Sequence, residues 1–257
     1  MKKVIFGTAL ASMALLSACS SDNELANVET TANNAIGFHV VGNKAETRAN
    51  IIGADNITST DFNVFAFTRN EDGTDGKFFM GEKANGFGQT GVKIDYTKNY
   101  WDYANASDLH YWPTNNTALN FYAVSPGSFK EVEENMEMLG VYGWNISNNT
   151  KTISYSPFDE YAGRTEKKNL DVMYAITEKQ TKDSNSGKVK FQFKHILSQV
   201  VFKAKTQLEN MEVEIKEIKI HNPWIKGTYT LPTTSSEKGT WALTEPTVGG
   251  KRGAFTV

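Results

Sequence analysis

Apolar and polar positions alternate with a period of two along much of the chain. Phe62, Val64 and Ala66 alternate with Asn63, Phe65 and Phe67, and Val92, Ile94 and Tyr96 with Lys93 and Asp95. Leu119, Phe121 and Ala123 oppose Asn120, Tyr122 and Val124; Leu170, Val172, Tyr174 and Ile176 oppose Asp171, Met173 and Ala175. A shorter run, Ile36-Gly37-Phe38-His39-Val40, reads the same way. Period-two patterning rich in β-branched and aromatic residues predicts half-buried strands. Turn dipeptides such as Asp72-Gly73, Asp75-Gly76, Asn85-Gly86 and Pro126-Gly127 separate them. Only Phe129–Leu139, short and acidic, has helical character. The pattern predicts an all-β sandwich.

Two stretches change parity. Val189, Phe191 and Phe193 face one way, whereas Val200, Phe202 and Ala204 keep the other parity, so a bulge or bend is expected near His195-Ile196. Met211, Val213 and Ile215 give way to Ile218 and Ile220 in the same manner. The most polar interior run is Thr181–Gly187. It predicts a boundary between an N-terminal domain at residues 36–182 and a smaller C-terminal domain at 188–257, the latter small for a sandwich core.

The N-terminus carries a different signal. Met1-Lys2-Lys3 is positively charged, and Val4 to Ala18 is an apolar run too short to span a bilayer, so residues 1–18 read as a secretory signal. Leu16-Ser17-Ala18-Cys19 resembles the lipobox of bacterial lipoproteins. That resemblance implies cleavage before Cys19, diacylation of its thiol and acylation of the new N-terminus. Several acyl chains together give firm anchoring where one chain would not. The polar stretch Ser20–Glu24 is similar to the acidic tether of surface-exported lipoproteins, which implies an outward-facing position on the outer membrane. Residues 19–35 thus form a lipidated Cys and a flexible tether.

Composition narrows the remaining chemistry. With 27 Lys+Arg against 29 Asp+Glu the net charge is −2, without the basic stripe that nucleic acid demands. A single Cys excludes an internal disulfide, and four scattered His leave little for a metal centre, so neither metal nor cofactor is expected. Nucleophile-elbow, phosphate-loop and His-Glu-x-x-His motifs are absent, so no enzyme is expected. His195 reads as a hydrogen-bonded structural histidine, and Asn70–Gly76 as a hairpin turn, its acidic spacing being wrong for a calcium loop. Trp101, Tyr103, Tyr111 and Trp112 read as packing residues, with stacking on sugars as the sharper alternative.

Several blocks, in order, resemble the fimbrillin (Mfa-like) family of Bacteroidetes lipoproteins, which build type V pili. They are Ala35–Phe38, Glu46–Ala49, Phe62–Phe67, Tyr111-Trp112-Pro113 with Leu119–Ala123, Leu170–Ala175 and Phe191–Val200. The resemblance implies two transthyretin-like β-sandwich domains and assembly with other pilus subunits by strand exchange. In pilus-forming members a protease cuts after an Arg that follows the first strand, and a strand from the next subunit fills the groove left behind. Here Arg48 is the matching Arg, and Ile36, Phe38 and Val40 are the groove-filling residues of the first strand. Members of the family continue with further strands where this sequence reaches Val257, which leaves the second domain short of a full sandwich. A fimbrial subunit or adhesin, with a host or glycan ligand, is the leading expectation. A surface glycan-binding lipoprotein serving polysaccharide uptake is the alternative.

Overall fold

The computed structural model describes residues 34–41, 57–83, 90–97, 99–127, 141–156, 171–198, 214–221, 226–244 and 254–256, with single positions at 200, 202, 203, 205 and 224. Cys19, Arg48 and the helix expected at Phe129–Leu139 lie outside the described residues. The described chain forms β1 (Gly37–Val41), β2 (Phe62–Arg69), β3 (Asp75–Met80), β4 (Val92–Thr97), β5 (Tyr100–Tyr103) and β6 (Leu119–Ser125). There follow β7 (Val141–Ile146), β8 (Lys151–Ser156), β9 (Met173–Gln180), β10 (Lys188–Gln192) and β11 (Lys194–His195). The last are β12 (Lys219–His221), β13 (Gly227–Thr230), β14 (Thr240–Leu243) and β15 (Ala254–Thr256). The protein is all-β, as its patterning predicts.

A seven-stranded antiparallel sheet, ordered β11-β9-β6-β2-β4-β5 with β3 also on β2, forms the centre. Both of its faces are covered. One parity set (Phe62, Val64, Ala66, Leu119, Phe121, Ala123) packs into a first core under the parallel ribbon β1–β10. The other set (Phe65, Phe67, Tyr122, Val124, Tyr174, Ile176) packs into a second core against Ile146, Ile153, Tyr155 and Tyr229 of the sheet β14-β13-β8-β7. The expectation of half-buried strands is therefore corrected for β2 and β6, whose apolar runs are nearly continuous because both faces are buried.

Residues on both sides of the polar run at 182–188 take part in the same packing. Val189, Phe191 and Phe193, beyond it, belong to the first core, and β13, further on, pairs with β8. The run Thr181–Gly187 is polar because it is an exposed turn returning the chain from β9 to β10. Asn185, Ser186 and Gly187 take left-handed φ values of 47°, 57° and 79° there, which small and amide side chains tolerate. Its end is tied down by Trp112 Nε1, which donates to Gly187 O at 3.1 Å.

The first parity change has a structural cause, placed slightly earlier than expected. At Phe193 the chain leaves the ribbon, where β10 pairs with β1, and joins the central sheet, where β11 pairs with β9. Phe193 stays in the first core while Ile196 enters the second. The strand expected over Val200–Ala204 is not formed at its described positions; Val200 and Phe202 are exposed. Of the second parity change, residues 211–213 lie outside the described residues, and Ile215 is exposed.

His195 meets Asp171 with Nδ1–Oδ1 2.9 Å apart, the hydrogen-bonded structural role expected of it. That bond, opposed by partial burial, holds the imidazole pKa above its ordinary 6.5. A folded-state pKa above the unfolded one stabilises the fold at pH below about 6.5, and this is lost as pH rises through the folded value. The stability difference between wild type and His195→Gln is therefore expected to shrink from pH 5.5 towards pH 8.5. Denaturant titrations of both proteins at each pH check it; a difference independent of pH would show that the bond to Asp171 does not favour the protonated imidazole.

Candidate functional site

The loop Asn70–Thr74 is a hairpin turn between β2 and β3, in which the Asp72 carboxylate accepts from Thr74 N at 2.9 Å and Thr74 Oγ1 at 2.6 Å. Among the described residues no group of three or more His, Cys, Asp or Glu side chains is placed to hold a metal ion. The remaining candidate is the seat of β1 in the first core.

β1 arises from the alternation Phe38-His39-Val40, which turns Phe38 and Val40 inward and His39 out. Ile36, just before it, is 1% exposed, Phe38 5% and Val40 9%, so all three expected groove residues share the first core. Phe38 stacks on Phe191 of β10, with ring centroids 6.1 Å apart, and meets Phe62 edge-on at 6.4 Å and Tyr103 at 5.5 Å. Among the described strands β1 pairs with β10, parallel and in register from Gly37↔Lys188 to Val41↔Gln192.

The approach to the strand is clamped from the other side. Ile36 N donates to His110 O at 2.9 Å, Trp112 N to Asn34 O at 2.9 Å, and Asn34 Nδ2 to Trp112 O at 3.1 Å. Tyr103 Oη donates to Ile36 O at 3.0 Å, and burial pushes the Tyr103 hydroxyl well above its ordinary pKa, so it remains a donor. Tyr103→Phe is expected to lower stability by about 1 kcal/mol, the usual net value of one such hydrogen bond. Hydrogen exchange of the Ile36 to Val40 amides should accelerate in the same variant; unchanged exchange would mean the hydroxyl does not hold the strand.

Patterning located the inward residues of β1 but not its clamp. The residues at 101–112 are legible only as an aromatic-rich stretch. In the structure Trp101 and Trp112 are buried, Tyr103 is half-buried against β1, and Tyr111 is the exposed member. Trp101, Tyr103 and Trp112 thus pack as expected, whereas Tyr111 does not. The parallel pairing with β10 has no local sequence signal, because any strand edge presents the same backbone groups.

A family described as "Fimbrillin-like" matches residues 47–256. Fimbrium subunit Fim1C of Phocaeicola vulgatus is 26% identical over 195 residues, an alignment covering 70% of this chain and 46% of that protein. This chain thus spans about half the length of that curated relative. The crystal structure of a fimbrial protein from Bacteroides vulgatus ATCC 8482 superposes with a TM-score of 0.55 at 19% identity, covering 87% of this chain and 65% of that one. The structural likeness is one of fold.

Proposed function

This chain belongs to the fimbrillin-like family, and on that premise we propose that it is a subunit or adhesin of a surface fimbrium, held to the outer membrane by lipid on Cys19 and joined to other subunits by exchange of β1 after cleavage at Arg48. The observation that carries the reading is the way β1 is seated. β1 and the residue before it fill a core with three apolar side chains, its described backbone pairing is with β10, and in sequence Arg48 follows its last residue by seven positions.

The energetics suit exchange. Each of Ile36, Phe38 and Val40 contributes roughly 1.5–3 kcal/mol by burial, enough to make an empty groove costly and a refilled one stable. The pairing with β10 is made by main-chain groups, which any extended strand can replace, while side chains at alternate positions set selectivity. An incoming strand must run parallel to β10 and carry apolar residues at the places of Ile36, Phe38 and Val40. No step of this assembly needs catalysis by the chain itself.

Cleavage with a strictly Arg-specific protease tests the reading, Lys44 being a nearby alternative for a less selective one. After cleavage the protein is expected to take up a labelled peptide copying residues 35–42, whereas Arg48→Ala treated identically should not. If the cut protein captures no peptide and melts like the intact one, β1 is a fixed strand and the exchange reading fails. The anchor is tested separately: Cys19→Ser should leave the protein in the soluble fraction, and retention on membranes after a high-salt wash would overturn it.

A further inference from the structure

Asp75 and Lys151 approach each other across the second core from strands that do not pair. Asp75 opens β3 in the central sheet and Lys151 opens β8 in the four-stranded sheet. Lys151 Nζ lies 2.6 Å from Asp75 Oδ2, with the two side chains 12% and 5% exposed. Two neutral donors complete the carboxylate: Asn120 Nδ2 reaches Oδ1 at 2.8 Å and Tyr122 Oη reaches Oδ2 at 2.8 Å. The Lys151 nitrogen sits 5.1 Å from the ring centroid of Phe67 and 4.8 Å from that of Tyr122. It also donates to Asn148 O at 3.1 Å.

An amine is thus held against a carboxyl group whose oxygens are both engaged by donors, in a wall with little water. Withdrawing both charges from water is costly, and a proton passed from Nζ to Oδ2 removes both at once. We propose that Lys151 and Asp75 condense to an intramolecular amide, a covalent link between the two sheets of the second core. After that proton transfer, the lone pair of Nζ forms a bond to Cγ. Charge gathering on Oδ1 is met by Asn120 Nδ2, already in place. A second proton moves from Nζ to Oδ2, the Cγ–Oδ2 bond breaks, and water departs. One ammonium and one carboxylate become one amide and one water, with no oxidant, reductant or activated donor. The fixed contact of the two groups supplies the proximity that such a step needs. Tyr122, whose hydroxyl is pushed up by burial and by the neighbouring carboxylate, keeps its proton and stays a donor to the departing oxygen.

Peptide mapping of the folded full chain by mass spectrometry tests the link independently of N-terminal processing. The expected result is a branched peptide joining residues 75 and 151, lighter by one water than its two parts, with the two linear peptides lost. Lys151→Arg, which keeps a cation beside Asp75, should restore the linear Asp75 peptide at full mass. Asp75 precedes Gly76, so backbone cyclisation to a succinimide would lose the same water. Hydroxylamine opens a succinimide and leaves a side-chain amide intact. Linear peptides at full mass in the wild type overturn the proposal. So does a water loss that persists in Lys151→Arg or disappears with hydroxylamine. Should Lys151→Arg fail to fold, the wild-type branched peptide and its hydroxylamine resistance decide alone.

Discussion

Replacing Phe62 with alanine is expected to destabilise the protein by about 3–5 kcal/mol, a cost comparable with the whole stability of many domains. Phe62 is fully buried in the first core, between the central sheet and the ribbon β1–β10. Its ring lies 4.9 Å from Trp101, 5.3 Å from Phe193, 5.7 Å from Phe191 and 6.4 Å from Phe38, centroid to centroid. Truncation removes a contact to β1 and another to β10 together, and rings on several strands cannot all collapse into the void. The denaturant midpoint should fall accordingly, and uptake of a β1 peptide by Arg48-cleaved protein should weaken with it. Tyr111→Ala, on an exposed ring, should stay within about 0.5 kcal/mol of wild type. A Phe62→Ala protein as stable as wild type would mean that this face of β2 is not the core face.

The second large effect is expected at Asp75. Asp75→Ala removes the buried acceptor that Lys151, Asn120 and Tyr122 share. Stranding one member of a buried ion pair typically costs about 3–5 kcal/mol, because the charge left behind keeps its desolvation penalty. Loss of a covalent link at the same place acts in the same direction. Arg69 feels the change at one remove, since its Nη1 donates to Asn120 Oδ1 at 3.2 Å and Asn120 Nδ2 would keep only its 3.3 Å bond to Gly73 O. Tyr122→Phe, which removes one donor and leaves the pair, should cost about 1 kcal/mol. Thermal unfolding of the two variants beside wild type separates these values. Equal, small shifts would place Lys151 and Asp75 in solvent.

β2, β6 and β9 were legible as strands because a period of two is a local property, written wherever side chains must alternate between opposite faces. The inward set Ile36, Phe38 and Val40 was legible for the same reason, whereas the turn expected over Asn70–Gly76, of which Asp75 and Gly76 belong to β3, was read from its residue types. The pairing of Lys151 with Asp75 was not legible: Asp75 reads only as part of a turn, and the two sit 76 positions apart on strands that meet through the packing of two sheets.

What the sequence determined by itself is therefore the all-β class and which side chains of a strand share a face. Tertiary structure decided the rest. Which strands lie beside one another, as in β1 with β10 or β8 with β13, follows from pairings between groups that every strand carries alike, and only the global packing chooses among them. That both faces of β2 and β6 are buried was settled by the arrival of a ribbon on one side and a four-stranded sheet on the other. The polar run Thr181–Gly187 has a composition that turns and linkers share; that Ala175 before it and Val189 after it enter one core follows from packing, which no local run of residues encodes.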